Sequence, residues 1–432
     1  MLLSFRSRRA LQLALTVNAL RPLRGRTTSV PAFFAGWTTA ELAPHLLALT
    51  AADTAAHLAR RGRNDRLGLG MAAASAAGLA ALIGSAGRAR DEVEDALTET
   101  LGADYHSGLV RPTEPGDLAT PWRQLAIPFR MRHPEVRRKR NMAYAPGGKR
   151  FLMDIYTPRA PTRDCPVLLQ IHGGAWMVGT KGEQGIPLML HMAQRGWVCV
   201  AINYPLSPKA KWPAHIVAAK QALAWIRKNI ADYGGDPSFV AATGGSAGGH
   251  LAALLALTPN DAEWQPGFAD VDTGVQACVP FYGAYDFAAQ TDSTAARVLQ
   301  RSVLQRYVVC QDPRECRDVY VAASPLSRIT EDAPPFFVIH GKHDSLIPVS
   351  DAREFVRRLR ATSRQPVAYA EISGAQHAFD IFPSIRSAHV VRGVQRFLEW
   401  SYVQTRAAAG GRAAGGRVAG GRVAGEPKVA FG

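Results

Sequence analysis

The chain has 432 residues, 47% of them hydrophobic and 20% charged, with a formal net charge of +16. That length and balance exclude a fibrous or wholly disordered protein and allow one large α/β domain with additions, or two domains. The charge sits in the flanks: residues 1–140 hold 20 Lys/Arg against 12 Asp/Glu, residues 141–401 hold 26 against 22, and residues 402–432 hold 5 against 1. A basic flank suits anionic lipid, a polyanion or solubility equally well, and it carries no information about substrate.

Residues 1–130 read as a helical, Ala/Arg-rich region. Its opening, "MLLSFRSRRALQLALTVNALRPLRG", is interrupted by arginines, which breaks the apolar core of a cleavable signal and predicts an amphipathic helix. "LGLGMAAASAAGLAALIGSA" (67–86) is long enough to span a bilayer, but its Ala and Gly content makes insertion marginal. A packed helix or one lying on a membrane fits it equally, so cytoplasmic and membrane-associated locations both stay open. "MRHPEVRRKRN" (131–141) reads as a basic linker.

From residue 142 to 403 the pattern changes. "NMAYAPGGKRFLMDIYTP" predicts two strands about a Gly-Gly turn, and six further short apolar runs predict buried strands: "CPVLLQIHGG", "GWVCVAINYP", "PSFVAATGG", "GVQACVPFYG", "PPFFVIHGK" and "QPVAYAEISGA". Helical patterns near 184–195, 213–232, 246–258, 350–362 and 384–402 alternate with them, as in a doubly wound, mostly parallel sheet. The Gly/Ala/Arg repeat of residues 404–432 lacks apolar content and predicts a disordered tail.

The five cysteines form no CxxC and no metal-ligand spacing; Cys165, Cys199 and Cys278 lie in apolar runs, while Cys310 and Cys316 are close enough in sequence to pair under oxidising conditions. No cofactor-binding or metal-binding motif is present, and the basic flanks lack the aromatic or motif support of a nucleic-acid binder.

Chemistry concentrates in four short stretches. In "PSFVAATGGSAGGHLAALLAL", Ser246 falls between a strand and a helix with glycines on both sides, the setting of a nucleophile elbow. "LLQIHGGAWMVGTKG" ends a strand in a glycine turn whose N–H groups can face a developing oxyanion. Asp344 in "FFVIHGKHDSLIP" and His377 in "AEISGAQHAFD" each follow an apolar strand, giving the chain order Ser, Asp, His. Ser246 is then the nucleophile, His377 the general base and Asp344 the group that orients the imidazole. Asp286, Asp351 and Asp380 are rival acids, and His340, His343 and His389 rival bases, each in a looser context.

Together these stretches, with "NYPLSPKAKWPAHIVAAKQALAWIRKN" and "SPLSRI", resemble the hormone-sensitive-lipase-like (bacterial family IV) esterases and lipases of the α/β-hydrolase superfamily over about residues 141–401. The resemblance implies an α/β-hydrolase fold, metal- and cofactor-free ester hydrolysis through an acyl-enzyme, and oxyanion donors at Gly174, Ala175 and Ala247, with Gly173 in the same loop. It also implies a helical cap, for which residues 285–329 are the natural insertion. Relatives often have HGGG where this chain has "HGGA", and Asp where it has Gly245; both departures bear on acyl preference, not on reaction class.

The reading that follows is a serine carboxylesterase for short- to medium-chain esters. A membrane-associated lipase, an amidase or deacetylase using the same triad, and a catalytically silent receptor on the same fold are the alternatives. A small-molecule ester or lipid is the expected substrate, with membrane-surface association through the N-terminal region left open; oligomeric state is not legible.

Overall fold

The computed structural model describes residues 3–419 apart from residues 24, 26, 27, 62, 63 and 292. Eight strands form one sheet: β1 (Val136–Ala143), β2 (Leu152–Pro158), β3 (Cys165–Ile171), β4 (Val198–Ile202), β5 (Gly235–Gly245), β6 (Ala277–Phe281), β7 (Phe336–Gly341) and β8 (Val367–Ile372). Their order is β1-β2-β4-β3-β5-β6-β7-β8, antiparallel at β1/β2 and β2/β4 and parallel throughout the rest. The central strands β3 to β7 are apolar on both faces because helices cover both faces, which is why they read as unbroken hydrophobic runs. One core cluster gathers Leu169, Val200 and Leu251, and the other gathers Leu168, Cys199 and Val394.

The expected basic linker at 131–141 is corrected, since β1 begins at Val136 and pairs with β2. Arg137, Lys139 and Arg140 are exposed there. Charged side chains suit an edge strand, where they discourage pairing with another chain, so a basic run and a strand coexist.

The first 130 residues are helical, as expected: α1 (Phe5–Leu20), α2 (Ser29–Glu41), α3 (Ala43–Arg61), α4 (Arg66–Gly87), α5 (Ala89–Leu101) and the single turns α6 (Pro115–Leu118) and α7 (Trp122–Leu125). Helix α4 packs on α1 and α3 through Ala19, Ala43, Leu79 and Leu82. Within Arg66–Leu101 an 18-residue stretch reaches a mean hydropathy of 1.8 and is long and apolar enough to cross a membrane. Helix α5 lies on the catalytic sheet, with Val93 and Leu97 buried in the core beside Phe337. Two further joints are the Glu92 carboxylate, which accepts from the Ser373 N–H at 2.9 Å, and the Arg396–Glu94 pair at 2.9 Å.

The remaining helices are α8 (Ile186–Gln194), α9 (Ala214–Asn229), α10 (Ala247–Leu257), α11 (Thr294–Leu299), α12 (Arg317–Ala322), α13 (Val349–Thr362) and α14 (Ile385–Ala419). The expected insertion 285–329 contains α11, a π-helical stretch Gln300–Val308 and α12. Helix α14 continues through residues 404–419, where an unfolded tail was expected. Alanine and arginine favour the helix and Gly410, Gly411, Gly415 and Gly416 oppose it, but extension from a packed segment needs no new nucleus. Residues 420–432 of the tail lie outside the described residues. All five cysteines are free thiols, Cys310 and Cys316 included.

Candidate active site

Ser246 stands between β5 and α10 with φ 58° and ψ −119°, a strained conformation for a residue with a side chain. The glycines around it make that bend physically feasible. A Cβ on Gly248 would come within 2.1 Å of the Ile171 carbonyl oxygen, and one on Gly244 within 2.5 Å of both the Ile171 and Gly248 oxygens. Strand β3, strand β5 and helix α10 therefore meet backbone to backbone directly below the serine. The Ser246 N–H donates to Phe281 O at 3.0 Å, tying the bend to the end of β6.

The loop after β3 lies beside it. A Cβ on Gly173 would meet Gly245 O at 2.6 Å and Ser246 Cβ at 3.1 Å. Gly174 has φ +117°, Ala175 φ 50° and Trp176 φ 61°, so three consecutive residues adopt the left-handed region. Gly173, expected in the oxyanion loop beside the three donors, has its own N–H engaged, donating to Gln184 Oε1 at 2.6 Å. Among the described residues, the N–H groups of Gly174, Ala175 and Ala247 donate to no protein acceptor. They belong to the loop and to the first turn of α10, whose dipole adds positive potential at the same point.

His377 and Asp344, 33 positions apart, are brought together by the parallel pair β7/β8: His377 Nδ1 lies 2.6 Å from Asp344 Oδ2, both groups buried. Asp344 Oδ1 accepts from the N–H groups of Leu346 and Ile347, each at 2.8 Å. His340 Nε2 lies 3.3 Å from Oδ2. Burial pushes this carboxyl up, but the His377 charge and the His340 and His377 hydrogen bonds outweigh burial and hold it well below the usual carboxylate range. Gln376 supports the loop from the other side, its Oε1 accepting from the backbone of His377 and of Ser345.

Tyr282 lies beside both the bend and the histidine. A Cβ on Gly245 would touch the Tyr282 ring at 2.8 Å, and that ring stands 4.6 Å from the His377 ring. Among the described residues no hydrogen bond links Ser246 Oγ to the imidazole.

The rivals occupy other positions. Asp286 accepts from the backbone of Gln290 and Thr291 and stabilises a turn. Asp380 accepts from the buried Tyr282 hydroxyl, and its carboxyl is pushed up by burial. Asp351 lies in the first turn of α13, where it accepts from Ser350 Oγ at 3.3 Å, and His389 hydrogen-bonds Thr120.

Three supports were not legible in the sequence: Gln184, Tyr282 and His250. His250 Nδ1 accepts from Trp176 Nε1 at 3.3 Å, its Nε2 donates to Ala323 O at 2.8 Å, and its ring stacks on Phe287 at 4.0 Å. It thereby joins the glycine loop, α10 and the 285–329 insertion. The only sequence signal was a polar residue in an otherwise apolar helix. Helix α2 walls the site on the histidine side, with Phe33 5.8 Å from the His377 ring and Ser345 Oγ donating to Ser29 O at 3.2 Å.

A mostly parallel eight-stranded sheet of this order, bending at a serine between β5 and the following helix, defines an α/β-hydrolase. The comparisons agree. The family described as BD-FAE matches residues 153–359. The chain is 43% identical to a probable carboxylic ester hydrolase, LipM, of Mycobacterium tuberculosis over 93% of its own length and 94% of the relative's. It is 41% identical to esterase LipQ of the same organism, over 76% and 78% of the two chains. Among solved structures, esterase B from Lactobacillus rhamnosis superposes with a TM-score of 0.54 at 19% identity, covering 64% of this chain and 91% of that one, a likeness of fold. The chain belongs to the hormone-sensitive-lipase-like (family IV) esterases of the α/β-hydrolase superfamily and is an ester hydrolase.

Proposed function

We propose that the protein is a serine carboxylesterase for short- to medium-chain esters, working through a Ser246–His377–Asp344 triad. The observation that carries this reading is the strained Ser246 backbone above a glycine-only crossing, a bend that presents the hydroxyl at the end of the sheet. Ser246 Oγ attacks the ester carbonyl while His377 takes its proton. The tetrahedral oxyanion receives the N–H groups of Gly174, Ala175 and Ala247, the expected donors, whereas Gly173 supplies only close approach. His377 then protonates the departing alkoxide, leaving an acyl-enzyme that water attacks by the same route in reverse. Asp344 keeps Nδ1 protonated, so Nε2 faces the serine as the base. The aromatic walls Phe33 and Tyr282 crowd the imidazole, which supports a confined acyl site.

The test is hydrolysis of p-nitrophenyl esters from acetate to palmitate by the wild type and by Ser246→Ala. The expected result is turnover peaking at short chains, with kcat in the variant lower by about 10⁴ or more. A folded Ser246→Ala protein retaining near-native turnover would overturn the triad, and a peak at palmitate would overturn the chain-length reading.

A further inference from the structure

The exposed apolar side chains of this molecule are not spread evenly. Among the described residues, fourteen of the seventeen exposed large hydrophobics lie in the first 130 residues. Three of them, Trp122 (56% exposed), Ile127 (60%) and Phe129 (67%), crowd into one short segment. The same segment borders a cavity of about 380 Å³ between it, α8 and α14, floored by Leu125, Leu190 and Val391. Arg123, Arg130 and Arg132 stand around the cavity, all exposed, and no Asp or Glu lines it. Among the described residues none of these three arginines has a carboxylate partner, although many other exposed arginines of the chain do, such as Arg6, Arg90, Arg353 and Arg357. In water the exposed Trp, Ile and Phe are the unfavourable part while the guanidinium groups are solvated; at a lipid headgroup boundary the apolar side chains are buried and the phosphates supply the guanidinium groups with partners.

The patch also connects to the catalytic side. Phe129 packs on Phe382 at 5.4 Å, Phe382 on Trp37 at 5.4 Å, Trp37 on Phe33 at 5.8 Å, and Phe33 on His377 at 5.8 Å. An aromatic path thus runs from the exposed segment to the imidazole.

We propose that residues 121–133 dock the protein on an anionic phospholipid surface, the three arginines taking the phosphates and Trp122, Ile127 and Phe129 entering the interface. Docking there sets the aromatic path against the membrane and brings lipid-dissolved esters to the site. Only that last step rests on the proposed triad; binding itself does not. The occupant is argued from charge: a neutral surface would leave the unpaired guanidinium groups without a partner, and a soluble anion alone would leave the aromatic side chains in water.

The experiment is co-sedimentation of the full chain with vesicles of phosphatidylglycerol and phosphatidylcholine, against vesicles of phosphatidylcholine alone. Binding to the anionic vesicles is expected, weakened by salt. Arg123→Gln/Arg130→Gln/Arg132→Gln together should weaken it about a hundredfold, and Ile127→Ser/Phe129→Ser should also weaken it. Both variants should hydrolyse soluble p-nitrophenyl acetate as the wild type does, and Ser246→Ala should bind vesicles as the wild type does, which separates failure of docking from failure of the triad. Equal binding to both kinds of vesicle, no binding to either, or an unchanged affinity in the arginine variant would overturn the proposal. So would loss of soluble-ester turnover in the docking variants, which would make the segment part of the folded scaffold.

Discussion

Asp344 is surrounded by donors: two backbone N–H groups on Oδ1 and His377 Nδ1 on Oδ2, with His340 Nε2, whose N–H donates to Ile347 O, 3.3 Å from Oδ2. A carboxylate satisfies all of them, whereas an amide presents an NH₂ to one side and opposes a donor with a donor. Asp344→Asn is therefore expected to keep the fold and lower kcat by about 10⁴, through the wrong imidazole tautomer; steady-state rates on p-nitrophenyl butyrate check it, and a loss below tenfold would remove Asp344 from the triad. His250 acts at one remove. It holds Trp176 and, through it, the left-handed Gly174–Ala175–Trp176 turn, whose Gly174 and Ala175 N–H groups are the donors proposed for the oxyanion. His250→Phe preserves the stacking on Phe287 but removes both hydrogen bonds, so kcat should fall by about tenfold to a hundredfold with KM little changed. A change confined to KM would show that the loop positions substrate and not the transition state.

At the scale of elements, α2 is the wall of the site and Glu41 is its anchor. Glu41 and Arg386 pair at 2.9 Å with side chains 1% and 0% exposed, and Ser384 Oγ donates to the same carboxylate at 2.6 Å. Burial pushes the Glu41 carboxyl up, opposed by Arg386 and Ser384. Such a pair is weak evidence for net stability, but breaking it strands a buried charge. Arg386→Met is expected to cost about 3–5 kcal/mol in urea unfolding and to lower activity as Phe33 loosens over His377; Glu41→Gln/Arg386→Met together should recover a large part of the stability. A single variant with an unchanged midpoint would show that α2 is held by its apolar contacts alone. The glycine crossing behaves differently. A methyl group on Gly248 would stand 2.1 Å from the Ile171 backbone oxygen, which has no rotamer to escape into, so Gly248→Ala should destabilise and displace Ser246 at once.

At the scale of the whole molecule, buried histidines set the response to acid. Burial lowers His172, His191, His215 and His389 to about 4 and His250 to about 3, all below the unfolded value near 6.5. Between those values the unfolded chain binds protons that the folded chain refuses, so stability falls as pH falls from about 6.5 toward 4. Each group contributes about 1.4 kcal/mol per pH unit across that window. Asp344, depressed by its histidine partners, adds a loss of the same sign at lower pH, beginning near its unfolded value. Asp351 has the opposite sign: burial raises it to about 6, so the cost of ionising it appears as pH rises through 4 to 6. The net expectation is a Tm that drops steeply between pH 6.5 and 4.5 in differential scanning calorimetry. A Tm constant over that interval would mean that these histidines take up protons in the folded state.

The sequence by itself determined the sheet, the elbow and the chain order of Ser246, Asp344 and His377, because those features are local. Buried parallel strands are hydrophobic runs, and a strained turn requires glycine wherever it occurs. It misjudged β1, because an edge strand can carry charge, and the end of α14, because low apolar content does not oppose a helix extended from a packed one. Only the tertiary structure decided that Gln184 takes the Gly173 N–H, that Tyr282 lies beside both the bend and the imidazole, and that α2 walls the site. Each of those contacts joins residues distant in the chain and depends on where whole elements pack. No local pattern of residues encodes such a distance; it arises when the sheet and helices bury their apolar faces together.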